Sequence, residues 1–219
     1  MPGISSLRRF LVDSVEQEPV QEVCELCATP VPPQHPHLVQ VAERRMLCAC
    51  GPCGFLFDNP GAGGGGYRRV PDRYLSDPEF RLTDAQWDEL QIPVSMAFFL
   101  HNSAQGKVIA CYPSPAGATE SELGLESWAT GLGAGRLAAA LEPDVEALLV
   151  RRDKAGSGAA GSAEGLLVPI DACYRLVGLV KLHWRGFDGG AEAWHEIDGF
   201  FEALREQARP VPPATGPEA

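Results

Sequence analysis

The sequence predicts an α+β protein: a small zinc-ribbon or rubredoxin-like module at residues 22–58, followed by a larger, mixed and mainly antiparallel α+β domain at residues 67–209. Three observations predict it. Two C-x-x-C pairs, Cys24/Cys27 and Cys50/Cys53, lie close together near the start of the chain. A glycine run, "NPGAGGGGY", follows them and reads as a flexible linker at residues 59–66. Beyond it, short apolar segments of strand character are interleaved with helical ones, and a hairpin-like pair among them argues for antiparallel neighbours. Residues 1–21 form an N-terminal arm and residues 210–219, "PVPPATGPEA", a disordered tail.

Each element has its own signal. In the arm, Ile4, Leu7, Phe10 and Leu11 stand at helical spacing and predict a short amphipathic helix over 4–15. Thr83 or Asp84 caps a short helix through Trp87 and Leu90. "VSMAFFLHN" and "GKVIACYP" form two strands joined by a turn at Ser103 to Gly106. "SELGLESWATGL" and "GRLAAALE" are short helices, and Thr119 or Ser121 caps the first of them. "VEALLVRR" is a strand, although Glu, Ala and Leu also suit a helix. "DKAGSGAAGSAEG" is too small and polar to pack and is expected to be a mobile loop. "GLLVPID" and "YRLVGLVKLHW" return to strand character. "GGAEAWHEIDGFFEALREQA" is the clearest helix, started by Asp188 or a neighbouring glycine, with Trp194, Ile197, Phe201 and Leu204 as its apolar stripe.

The cysteines carry the most specific chemistry. A C-x-x-C turn lets two thiolates reach one metal ion, and "CGPCGF" has the small residues and proline that suit such a knuckle; "CELCAT" is a looser version. The intervening "HLVQVAERRMLCA" can fold as a hairpin turning near Arg44, which returns Cys50 to Cys27. Four thiolates make the tetrahedral set preferred by structural zinc, and Cys24, Cys27, Cys50 and Cys53 are the candidate ligands. Cys48 is an alternative to Cys50, because on a strand the two face the same side. His35 and His37 lie nearby as lesser candidates. Thiolate tetrahedra suit zinc or a single iron, and spacing does not separate them. Zinc, the commoner outcome, is expected as a closed structural centre; iron would make a one-electron carrier.

Charge and composition exclude other classes. The net charge is −11 and the Arg pairs are scattered, so nucleic-acid binding is not expected. No apolar window is long enough to span a membrane. The first residues, "MPGISSLRRFLVDSVEQE", lack the apolar run and cleavage site of a signal peptide. A cytoplasmic location is expected, and there clustered cysteines point to metal or redox chemistry rather than disulfides.

Other motifs are weaker. "GAGGGG" contains a formal G-x-G-x-x-G but opens no apolar helix within a βαβ unit. Ser114 in "CYPSPAGATESEL" has no nucleophile elbow around it. Cys111 and Cys173 read as small apolar core residues. Asp171, His183, Asp188 and His195 are close enough in sequence to cluster, but their spacing does not require it.

"CELC" and "CACGPC", with "IPVSMAFFLHNS", "YPSPAGATES", "PDVEALLVRR" and "PIDACYRLVGLVKLHWRGFDGG", together resemble a family of high-GC Gram-positive bacteria over about residues 22–206. The genes of that family sit beside those for uptake nickel–iron hydrogenases and their maturation factors. What the resemblance implies is context: hydrogenase assembly, or electron flow around a hydrogenase. The expected function is therefore a non-catalytic metal-binding accessory protein acting through protein–protein contact with a hydrogenase subunit or maturation factor. Ser114, Thr119, Glu120 and Ser121 on one loop, and Arg185 and Asp188 on another, are the candidate contact residues. Two alternatives stand beside it: a rubredoxin-like iron electron carrier, and an enzyme whose reactive groups are Cys111, Cys173 or Asp171 in the larger domain.

Overall fold

The computed structural model describes residues 21–59, 61–121, 128, 132–152 and 163–212. The helix expected over 4–15, most of "SELGLESWATGL" and the low-complexity stretch 153–162 lie outside these residues. The fold is α+β, built on two sheets.

The smaller sheet holds β1 (His37–Gln40), β2 (Arg45–Cys48) and β3 (Tyr67–Arg69) in the order β2-β1-β3, all antiparallel. The hairpin turns at Arg44, which takes a left-handed φ of 52°. Its register sets His37 opposite Cys48 and Leu38 opposite Leu47. Alternation therefore gives the sheet two faces. Leu38 and Leu47 join Cys24, Val31 and Ala49 in a small core of their own. Val39 instead enters the main core of the larger domain. Between β2 and β3 lie α1 (Gly51–Phe55) and a 3-10 turn, Ala62–Gly65. The glycine run is thus a tight turn, with Gly63, Gly64 and Gly65 all at positive φ. The strand after it returns to pair with β1, so the small sheet takes its third strand from beyond the glycines.

The larger sheet has the order β10-β4-β9-β8-β5-β6-β7. Its strands are β4 (Leu75–Ser76), β5 (Met96–Asn102), β6 (Lys107–Ser114), β7 (Gly117–Ser121), β8 (Glu146–Arg152), β9 (Ala163–Pro169) and β10 (Arg209–Pro210). Every pairing is antiparallel except β10 with β4. One face carries Phe98, Leu149 and Val168 against α4 (Ile170–His183) and α5 (Gly190–Gln207). The other carries Phe99, Leu148 and Leu167, covered by Trp87 of α2 (Asp84–Glu89) and Leu137 of α3 (Arg136–Ala140). The central strand β8 is buried on both faces, which explains its continuous apolar run. Thr83 caps α2 through a full capping box with Gln86.

Three local expectations are corrected. "YRLVGLVKLHW" is not a strand but most of α4, whose buried residues Ile170, Cys173, Leu176, Val177 and Val180 repeat at helical spacing. Thr119 and Ser121 lie not on a turn but on β7, which pairs with β6 through Tyr112 and Ala110, and the helix expected to follow lies mostly outside the described residues. The tail is anchored through its first residues, because Pro210 pairs with Ser76 and Val211 is buried. Arg136 holds this end by donating to the carbonyls of Val211 and Pro212.

Candidate metal centre

Two turns build the centre. In the first, the Ala28 N–H donates to the Cys24 carbonyl at 2.7 Å and the Cys24 N–H to the Thr29 carbonyl at 2.8 Å, with Ala28 left-handed at φ 60°. This folds Cys27 back beside Cys24. In the second, Cys50 is the residue before α1, Pro52 sits in its first turn, and the Gly54 N–H donates to the Cys50 carbonyl at 2.8 Å. Gly54 packs closely here: an added Cβ would lie 3.1 Å from the Pro36 side chain, which would have to shift by a few tenths of an ångström.

Single sulfur atoms of Cys24, Cys27, Cys50 and Cys53 all lie within 4.8 Å of one another. Cys27 Sγ and Cys50 Sγ are 3.6 Å apart. Cys24 is buried, Cys27 is exposed, and the other two are intermediate. The surroundings lower two of these thiols and raise a third. Burial alone raises the Cys24 thiol, but backbone N–H groups of Cys50, Leu26 and Cys27 outweigh it and lower it to about 6. Thr29, through its hydroxyl 3.3 Å away and its backbone N–H, lowers Cys27. Cys53 is pushed up to about 12, first by the Cys50 and Cys27 side chains and then by burial. The protein alone thus favours some of these sulfurs as anions and crowds the last. A divalent cation would relieve that crowding, so the donor set fits zinc or iron.

Cys48 stands outside this group. Its strand ends there, Ala49 turns into the small core, and Cys48 lies instead with His35 and His37. The strand alternation that puts Cys48 and Cys50 on one side does not survive the end of β2. His37 Nδ1 is 3.2 Å from Asp171 Oδ2, and this contact escaped the sequence reading. The hairpin turning at Arg44 makes only the His37–Cys48 pairing legible; Asp171 reaches His37 through tertiary packing.

The other candidate residues separate. Ser114 accepts from the Ala116 N–H and donates to the Gly117 carbonyl, closing the β6–β7 turn, and Thr119 bonds to it. Glu120 pairs with Arg44 across the two sheets. Ser121 pairs with Ala110 at the end of β7. Arg185 donates to the Trp184 carbonyl and closes a small loop with Gly189. Ser114 and Asp188 line one apolar groove of about 690 Å³ with Met96, Pro113, Trp184 and Trp194. Phe187 on its rim is fully exposed. Gly189 is obligatory there, with φ 89° and a would-be Cβ 2.9 Å from the Trp184 ring.

Asp171, His183, Asp188 and His195 do not gather: His183 meets Glu192, Asp188 accepts from Trp194 through its carbonyl, and His195 is exposed. Cys111 and Cys173 are buried. Desolvation pushes the Cys111 thiol up to about 12 and raises Cys173 as well, which argues against either as a nucleophile.

Fold and site together define an α+β protein with a four-cysteine cluster of metal-ligating geometry. The chain belongs to DUF5947, a family of unknown function, whose family model matches residues 23–208. No curated protein and no solved structure matches it. Among the described residues, no helix is long and apolar enough to cross a membrane.

Proposed function

We propose that Cys24, Cys27, Cys50 and Cys53 hold one structural zinc ion, and that the protein is a non-catalytic accessory factor that works by binding a protein partner. The convergence of four sulfurs from two C-x-x-C turns carries this reading. Four thiolates fill a tetrahedron and leave no open position for a reacting group. The module also needs a staple. Its own core is Val31, Leu38 and Leu47 with Cys24 and Ala49, and Phe57 and Tyr67 pack against it partly buried. Burial of such side chains contributes about 1.5–3 kcal/mol each, against an ordering cost of roughly 1–2 kcal/mol for every backbone residue. Metal binding supplies the difference in small modules of this kind.

The partner surface is placed on the groove beside Phe187, where the Ser114 turn and the Asp188 loop meet. A fully exposed phenylalanine on an apolar groove has the composition of a contact anchor. The sequence resemblance directs the partner search to hydrogenase subunits and maturation factors.

Elemental analysis and a visible spectrum of protein purified without oxygen test the metal. Zinc with no colour, lost from Cys50→Ser and Cys53→Ser, supports the reading. Iron with thiolate charge-transfer bands makes the protein an electron carrier instead. Retention of all metal in Cys50→Ser contradicts the assignment.

A further inference from the structure

We propose a second metal site, formed by His35, His37 and Cys48 and buttressed by Asp171, that takes a divalent cation of the zinc class through two imidazoles and one thiolate. One ligand atom from each of the three residues lies within 4.8 Å of the other two. The rings are 4.7 Å apart, centroid to centroid, and tilted by 58°.

The hydrogen bonds select the ligating atoms. His35 Nδ1 lies 2.8 Å from the Pro32 carbonyl, which can only accept, so that nitrogen carries the proton. Glu22 Oε2, at 3.8 Å from the same nitrogen, reinforces this tautomer. His37 Nδ1 faces Asp171 Oδ2, an acceptor when ionised. Both rings therefore keep Nε2 as a lone pair. A carboxylate or carbonyl behind a histidine is the usual support of a metal-bound imidazole, fixing its tautomer and orientation.

A second observation points to a ligand. His35 Nε2 is buried and has no hydrogen-bond partner, while the His35 side chain is only 3% exposed. Leaving a buried acceptor unsatisfied is unfavourable, and a metal ion would satisfy it. Asp171 Oδ1 is buried and unpartnered as well.

The scaffold is rigid where it matters. Cys48 and His37 are directly paired across the hairpin, and Glu25 Oε2 accepts from the Cys48 N–H at 2.8 Å. Asp171 comes from the first turn of α4, in the larger domain. Metal binding would thus lock the cysteine module to the helical layer. With three protein ligands, the fourth position is left to water or an exogenous ligand, unlike the closed four-cysteine cluster.

The test is cobalt and zinc stoichiometry on the full chain, with thermal unfolding to confirm that each variant is folded. Wild type should bind two equivalents. His35→Gln and Cys48→Ala should each lose one and keep the other. Cys50→Ser removes a ligand on which the module's fold depends, so the two sites are separated by His35→Gln and Cys48→Ala, which should spare the four-cysteine cluster. Asp171→Asn should weaken the second site by about 10–100-fold. It leaves the ligands in place and so reads the site even if a ligand variant does not fold. A single equivalent in wild type that Cys50→Ser abolishes and His35→Gln leaves intact would overturn the proposal. So would two equivalents with unchanged affinity in the Asp171→Asn and His35→Gln variants.

Discussion

At the scale of single residues, the cysteines differ in chemistry. Cys24 and Cys27 of the module sit among hydrogen-bond donors that lower their thiols, whereas Cys111 and Cys173 are desolvated in the main core. A thiol raised by burial stays protonated below its raised value, so at pH 8 both core cysteines remain neutral and slow to alkylate. Mass spectrometry after iodoacetamide treatment of native protein, with chelator present, should find label on module cysteines and none on Cys111 or Cys173. Prompt labelling of Cys111 would revive an enzymatic reading of the larger domain. A second residue-scale test concerns Glu146, which is fully buried and held by Arg73 through two bonds of 2.8 and 2.6 Å. Arg73→Met leaves that carboxylate without its cation and should cost about 3–5 kcal/mol in denaturant unfolding. A loss below about 1 kcal/mol would mean that Glu146 finds another partner.

At the scale of elements, much was legible and one helix was not. The β1–β2 hairpin, the Thr83 cap and the β5–β6 turn at Ser103 to Gly106 all follow from local turn and cap chemistry, and the structure has them. Helix α5 followed from its stripe, with Ile197, Phe201 and Leu204 buried as the spacing requires. Helix α4 was misread because Tyr174, Leu176, Val180, Leu182 and Trp184 also fit a two-residue alternation, and valines suit strands. The buried set, which includes Cys173 and Val177, obeys the helical period instead. The two readings differ in a measurable way. A strand would put Leu176 and Leu182 on one face. The helix buries Leu176 completely and leaves Leu182 64% exposed. Leu176→Ala should therefore cost about 2–5 kcal/mol, and Leu182→Ala no more than about 0.5 kcal/mol. Equal costs would restore the strand. The cysteine cluster was readable from spacing alone, because C-x-x-C fixes a turn. The neighbouring His37–Asp171 contact was not, because its two halves are joined only by tertiary packing between the module and α4.

At the scale of the whole molecule, the module and the larger domain share structure. Val39 and Val70 enter the main core, Arg44 pairs with Glu120, and Arg68 donates to the Pro143 carbonyl at 2.5 Å. The four-cysteine cluster is thus part of a continuous body rather than of a tethered appendage. The central claim is that a metal ion on these four cysteines holds the module folded. Amide hydrogen exchange on the full chain, before and after chelation under reducing conditions, tests it most directly. The bonds at risk are those of the two turns, donated by Cys24, Glu25, Ala28, Val31 and Gly54. Their protection should fall to the level of open chain when metal is removed, while Leu148 and Leu149 of β8 stay protected. Equal protection of those turn amides with and without metal would contradict the account.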